Sequence, residues 1–112
     1  MADPILVATS VDGRAVRLTQ TIWRKIQDHH PEFLGEPDYT NAIRAAIEQP
    51  EFVLRGWSGS KIALAWCESA PAAPKYIAVV YRELNGDGFI ITAFFISRFE
   101  RLLKRGIVWQ RT

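Results

Sequence analysis

The sequence is poor in the residues that staple secreted domains or hold metal ions: it has one cysteine, Cys67, and two histidines, His29 and His30. A single cysteine forms neither an intramolecular disulfide nor a thiolate zinc cluster, which excludes a disulfide-stapled scaffold. No stretch approaches the ~20 apolar residues that span a membrane. The first residues lack the basic region and long apolar run of a signal peptide, so we expect a cytoplasmic protein without membrane attachment.

Motifs for the common cofactors are also missing. The chain contains no Gly-x-Gly-x-x-Gly, no Gly-x4-Gly-Lys-Ser/Thr, no His-Glu-x-x-His and no Cys-x-x-Cys. Adjacent histidines such as His29 and His30 rarely converge on one metal ion. We therefore expect neither a cofactor nor a metal, and a small-molecule pocket has no motif in its favour.

The composition is that of a small globular domain, with 48% hydrophobic and 23% charged residues among 112. A chain of this length buries roughly two thirds of the surface that its unfolded form exposes, which suffices for one hydrophobic core. We expect a single domain over residues 1–112.

The first half of the chain combines short strands with helices. The Asp-Gly pair within Val11–Arg14 predicts a hairpin turn between strands at Ile5–Thr9 and Ala15–Leu18. Apolar residues at helical spacing then predict two helices. The first is capped by Thr19 or Thr21 and stopped by Pro31, Glu32–Pro37 is a loop, and the second begins near Asp38 or Thr40 and ends before Pro50.

From Phe52 onward the periodicity is that of strands. Asn85–Gly88 has the composition of a turn with positive φ and predicts a hairpin. Helices followed by antiparallel strands indicate an α+β fold. The predicted elements of this half are strands at Phe52–Trp57, Lys61–Glu68, Tyr76–Glu83, Phe89–Ile96 and Ile107–Gln110, with one or two helical turns within Ser97–Lys104.

Charge is unevenly distributed, although the formal net charge is only +2. Residues 98–112 carry five cations against Glu100 alone, a net charge of +4, which leaves −2 for the first 97 residues. Such a basic element suits phosphate binding, because cationic side chains offset phosphate repulsion and release counterions. Arginine outnumbers lysine ten to four, which favours bidentate phosphate contacts. A solvated helix face explains the same charges without a ligand.

His29 and His30 lie at the end of the first predicted helix. An imidazole titrates near neutrality and can accept a proton from a hydroxyl or return it to a leaving oxygen, which suits RNA cleavage by a 2′-hydroxyl. The structural alternative is a histidine that stabilises the C-terminus of its helix.

Thr92 is a hydroxyl within the apolar run 89–95, where a polar group needs a partner or a cleft. Strand alternation predicts that Thr92 shares a face with Ile90 and Phe94. The tryptophans and other aromatic residues offer base-stacking surfaces or core packing, and for most of them we expect packing. We expect Cys67 to be a buried hydrophobe rather than a nucleophile.

The order of these segments resembles the phage-associated barnase/EndoU/colicin/RelE-like (BECR-fold) nuclease families. The similarity spans residues 17–110, and its specificity lies in serial order rather than in any single motif. The segments are Trp23-x-x-Ile26-x-x-x-His30-Pro31-Glu32, Ile43-x-x-x-Ile47-x-x-Pro50-x-x-Val53, Lys75–Val80, Phe89-Ile90-Ile91-Thr92-Ala93-Phe94, Arg98, Arg105-Gly106 and Trp109.

The resemblance implies one or two N-terminal helices packed on a four- or five-stranded antiparallel sheet, and a metal-independent ribonuclease that is often a toxin. It implies that His30 is the general acid or base and that Thr92 orients the substrate. Arg98 and Lys75 would stabilise the charge that develops on phosphate. Phe94 stands where the resemblance implies a tyrosine in many relatives.

The leading hypothesis is an endoribonuclease that leaves a 2′,3′-cyclic phosphate, and the alternative is a non-catalytic module of the same fold that binds RNA or protein. RNA is the expected partner. The sequence leaves open a cognate inhibitor protein and the oligomeric state. The cations expected to bind phosphate or RNA are Arg55, Arg101, Lys104 and Arg105.

Overall fold

The computed structural model describes residues 4–34 and 39–112, which form an α+β fold with a seven-stranded sheet. The predicted α+β class is confirmed. The strands are β1 (Leu6–Thr9), β2 (Ala15–Leu18), β3 (Phe52–Arg55), β4 (Lys61–Cys67), β5 (Lys75–Leu84), β6 (Asp87–Ile96) and β7 (Ile107–Gln110). The helices are α1 (Gln20–His29), α2 (Tyr39–Glu48) and α3 (Glu100–Leu103), with one 3-10 turn at Pro31–Phe33.

The strand order is β1-β2-β6-β5-β4-β3-β7. All neighbours are antiparallel except β2 and β6, which pair in parallel at Gly88 and Phe89 of β6. The expectation of four or five antiparallel strands is therefore wrong in number and in kind. The N-terminal hairpin extends the sheet at one edge, and β7 extends it at the other after α3 crosses over.

Helix α1 forms as its sequence predicts. The Thr19 hydroxyl accepts a hydrogen bond from the Ile22 amide at 3.2 Å, which satisfies one of the free N–H groups of the first turn. The amide of His30 donates the last helical bond to Ile26, and Pro31 follows. The predicted loop at Glu32–Pro37 begins within a 3-10 turn, because proline favours the first position of a helical turn and Pro31 starts this one. Residues 35–37 of the predicted loop lie outside the described part of the chain.

Helix α2 begins at Tyr39, between the two predicted starts; Asp38 lies outside the described residues. It ends at Glu48, before Pro50, as predicted. Ile43 and Ile47 are completely buried, so one face of the helix packs on the sheet.

Both hairpins that the turn residues predict are present. Strands β1 and β2 pair around the Asp-Gly turn, and β5 and β6 pair around Asn85-Gly86. The second turn is shorter than predicted, because Asp87 and Gly88 already pair with β5, and Gly86 has φ +71°.

The sheet is covered on both faces, which divides the core in two. The two-helix face is covered by α1 and α2 and includes Val53, Ala63 and Val79 in one cluster with Ile26 and Ile43. The α3 face carries the next residue of each strand. Its buried residues are Leu54, Ile62, Leu64, Ala78 and Val80, packed against Phe99, Leu102 and Leu103 of the α3 segment.

An ionic cluster ties the first hairpin to the centre of the sheet. The Lys61 ammonium lies 2.8 Å from an Asp12 oxygen and 2.6 Å from a Glu83 oxygen, and the Ser10 hydroxyl donates to Glu83 at 2.5 Å. The Glu83 side chain is only 5% exposed. Burial alone would lower the pKa of Lys61, but the hydrogen bonds to Asp12 and Glu83 outweigh it and raise that pKa above 10.5.

Candidate nucleic-acid interface

The two adjacent histidines occupy different environments. The His29 ring is exposed, and its Nδ1 lies 2.9 Å from the carbonyl oxygen of Lys25 one turn earlier. The half-buried His30 caps α1 and packs against the sheet, with its ring centroid 6.1 Å from that of Phe94 and the two planes inclined by 33°. Of the two imidazoles, His30 is therefore the one held against strand β6.

A β-bulge decides which face of β6 carries Thr92. The register between β5 and β6 shifts so that Val80 opposes Thr92 while Tyr81 opposes Ile90, which leaves Ile91 without an opposite residue. Thr92 therefore shares a face with Phe94, as predicted, and this is the face that α3 covers. The predicted grouping with Ile90 is wrong, because the extra residue turns Ile90 into the core of the two-helix face.

Phe94 is the residue between two predicted site residues: its ring centroid lies 6.1 Å from that of His30, and its side chain shares a strand face with Thr92. Lys75 is not part of this group: it opposes Cys67, whose side chain belongs to the core of the two-helix face, so Lys75 emerges from the opposite side of the sheet from Thr92. Arg98 follows β6 by two residues and is exposed at the start of the crossover.

The α3 segment has one apolar side and one basic side. Phe99, Leu102 and Leu103 pack on the α3 face of the sheet. The four cations of this segment stay in contact with solvent, and we call them the basic strip: Arg98, Arg101, Lys104 and Arg105. The α3 helix is shorter than the predicted Ser97–Lys104, since only Glu100–Leu103 are helical.

Arg105 joins the basic strip to the end of β3. Its Nε donates to the carbonyl oxygen of Arg55 at 2.9 Å, and its guanidinium lies 4.4 Å from the centroid of the Trp57 ring. Two of the four residues predicted to bind phosphate are thus in contact, through the backbone of one of them, next to an exposed indole. The tryptophan was predicted only as one of several aromatic residues, and the signal that distinguishes it is its place in the glycine-flanked turn Gly56–Gly59.

The other aromatic residues mostly pack, as expected. Trp23 and Trp109 are partly buried against the core of the two-helix face, and Phe33 stacks on Phe95 with centroids 4.6 Å apart. Trp57 and Trp66 are the exceptions, each 49% exposed. Cys67 is buried, as predicted.

A cavity of about 420 Å³ lies elsewhere, between α2 and β4. Small side chains line most of it, among them Ala42, Ala45 and Ala65, with Cys67 at one side. It opens on the two-helix side of the sheet, whereas Thr92 and the basic strip are on the α3 side, so it takes no part in the candidate interface.

Within residues 4–34 and 39–112, no group of three or more His, Cys, Asp or Glu side chains is arranged to hold a metal ion. In the same part of the chain, no helix has the length and apolar character needed to cross a membrane.

Comparison with family models, with curated proteins and with solved structures found no match to the chain.

Proposed function

We propose that the protein is a metal-independent endoribonuclease whose general base is His30. The observation that carries this proposal is the packing of the His30 ring on Phe94, which places the imidazole beside the face of β6 that holds Thr92. The basic strip lies on the segment that covers the same face of the sheet. We propose accordingly that His30 acts together with the cations of the basic strip.

The proposed reaction is an intramolecular displacement at phosphorus. His30 accepts the proton of the ribose 2′-hydroxyl, the 2′-oxygen bonds to the adjacent phosphorus, and the bond from phosphorus to the 5′-oxygen breaks. The leaving 5′-oxygen takes up a proton from solvent, which leaves a 2′,3′-cyclic phosphate and a 5′-hydroxyl. Thr92 is the proposed hydrogen-bonding group for the substrate, and Arg98, the predicted cation closest to it in sequence, is the proposed phosphate ligand. Lys75 lies on the other side of the sheet from Thr92 and is left out of this role.

The adjacent histidine provides a matched control for this proposal. Purified protein is incubated with structured RNA in EDTA, and the ends of the products are analysed for cyclic phosphate. We expect wild type and His29→Ala to cleave and His30→Ala to lose cleavage by about 10²-fold or more, which is the usual contribution of one acid–base group. Equal melting temperatures of the three proteins would show that the loss of cleavage does not come from unfolding. Equal cleavage by His30→Ala and His29→Ala would exclude His30 as the base.

A second candidate is RNA binding without cleavage, and Phe94 favours it. The ring beside His30 carries no hydroxyl, so this position supplies neither a proton nor a hydrogen bond to phosphate. Binding of RNA by wild type and His30→Ala with equal affinity, together with no cyclic-phosphate product from either, would establish this alternative.

A further inference from the structure

The turn between β3 and β4 presents Trp57 on a fixed backbone. The amide of Gly56 donates to the carbonyl of Ser60 at 2.9 Å, and the amide of Ser60 donates back to the carbonyl of Trp57 at 3.0 Å. Ser58 and Gly59 both have positive φ, 51° and 82°, so the chain reverses within these residues. A half-exposed indole on a turn this constrained loses little conformational freedom when a ligand binds.

Two arginines from other elements hold the turn in place. The Arg82 guanidinium of β5 donates to the Ser58 carbonyl. Arg105, at the end of the α3 segment, covers one face of the Trp57 ring and is itself anchored through Nε to the Arg55 carbonyl. Trp57 as a residue is 49% exposed and Arg105 lies over one face of its ring, so we take the opposite face as the side open to a ligand.

Trp66 is equally exposed but lies in a different setting. Its ring meets Tyr76 edge to face at 5.2 Å, and its amide donates to the Glu51 carboxylate at 2.9 Å. The Tyr76 hydroxyl also donates to Glu51, and burial, together with that carboxylate, raises the pKa of Tyr76. Glu51 and Arg111 both lie beside Trp66, so their charges offset each other there, whereas Arg105 stacks directly on the Trp57 ring.

We propose that Trp57 and Arg105 form a stacking subsite for one unpaired base of single-stranded RNA. The base stacks on the free face of the indole, while Arg105 polarises the opposite face and, with Arg55, contacts the neighbouring phosphate. Aromatic stacking tolerates any base, because each base has a π-face, and it requires the base to be unpaired. RNA is taken as the ligand of this subsite because the inference rests on the proposed function.

The subsite is remote from His30. Along the strands, Phe94 lies opposite Ala78 of β5, whereas the turn lies beyond Lys61, which is opposite Tyr81 of β5. Across the sheet, three strand spacings separate β6 from β3. Strand geometry places the two roughly 20 Å apart. The stacked base therefore belongs to a nucleotide distant from the cleaved bond, and the subsite strengthens RNA binding without taking part in the reaction.

The test measures binding in the absence of cleavage. In the His30→Ala background, a fluorescently labelled single-stranded oligouridylate is titrated and its anisotropy is followed, with a duplex RNA as the second ligand. We expect added Trp57→Ala to weaken single-strand binding about tenfold and added Trp66→Ala to leave it unchanged. Trp57→Phe keeps a smaller ring on the same turn, so we expect an intermediate affinity. Duplex binding changes little in any variant.

Equal effects of Trp57→Ala and Trp66→Ala, or equal losses for single-stranded and duplex RNA, would overturn the subsite. Thermal melting of each variant shows whether a loss of affinity comes from unfolding, and Trp57→Phe gives the answer if the alanine variant does not fold. A protein that binds oligouridylate through Trp57 but never cleaves RNA would retain the subsite and remove only the proposed ribonuclease. Absence of any RNA binding by the parent would remove both.

Discussion

The Lys61 ammonium lies between Asp12 and the buried carboxylate of Glu83, so its removal tests how the N-terminal hairpin is attached. The perturbation is Lys61→Met, which keeps most of the aliphatic stem and deletes the charge. Glu83, with a side chain only 5% exposed, then keeps the Ser10 hydroxyl as its remaining partner in the cluster. A carboxylate left in this position without a counter-charge is costly, because little solvent reaches it.

The expected loss in the free energy of unfolding depends on how deeply Lys61 and Glu83 are buried. Breaking a fully buried ion pair costs about 3–5 kcal/mol. The Lys61 side chain is 33% exposed, so water replaces part of its contribution, and the Ser10 hydrogen bond persists. We therefore expect Lys61→Met to lower the free energy of unfolding by about 2–3 kcal/mol, from a total of about 5–15 kcal/mol. For a domain of this size the melting temperature falls by about 10 °C.

The assay is urea unfolding of wild type, Lys61→Met and the double variant Lys61→Met/Glu83→Gln, with Lys25→Met on the exposed surface of α1 as the control. The double variant removes the stranded charge, so we expect it to be more stable than Lys61→Met alone. Lys25→Met should change the free energy of unfolding by less than about 0.5 kcal/mol. Equal stability of the two lysine variants would contradict the cost of an unpaired Glu83 carboxylate, as would a double variant that is the least stable of the four proteins.

Two further predictions concern the same end of the molecule. The hydrogen bond from Lys61 holds the pKa of Asp12 below its usual 3.8. The ionised Asp12 therefore stabilises the fold above pH 3.8, and this stabilisation disappears as the pH falls through the lower pKa that Asp12 has in the folded state. Urea midpoints measured from pH 5 downward should therefore fall less steeply for Asp12→Asn than for wild type, and parallel curves would contradict this assignment. A Cβ on Gly88 would lie 2.8 Å from the Ala15 carbonyl oxygen and 3.1 Å from that of Arg82, so we expect Gly88→Ala to force β2 and β6 apart at a cost of about 1–3 kcal/mol. Thermal melts should show a lower melting temperature for Gly88→Ala than for wild type, and an unchanged melting temperature would exclude this close approach.

Local features of the sequence determined the elements of this protein. Thr19 caps α1, Pro31 and Pro50 limit the two long helices, and the turns at Asp12-Gly13 and Asn85-Gly86 produce their hairpins. Each of these signals depends on the conformational preferences of a few consecutive residues, so the elements and their approximate ends were predictable. The α+β class follows from their order.

The arrangement of the strands was decided only in three dimensions. The parallel contact of β2 with β6 and the position of β7 beside β3 join residues that are far apart in the chain, and no local pattern encodes which edge a strand will extend. The predicted sheet of four or five antiparallel strands was wrong for this reason.

In the candidate site, too, the sequence identifies the chemical groups and the fold decides which of them lie together. Sequence chemistry singled out His30, Thr92 and the C-terminal arginines, but the bulge at Ile91 decides which side chains share a face with Thr92, and the register opposite Cys67 carries Lys75 to the other side. The stacking of Arg105 on Trp57 joins residues nearly fifty positions apart, and the exposure of that indole depends on the turn that carries it. The sequence by itself thus determined which chemical groups are available, whereas the tertiary structure decided which of them meet, because side-chain proximity depends on strand register and crossover and not on spacing along the chain.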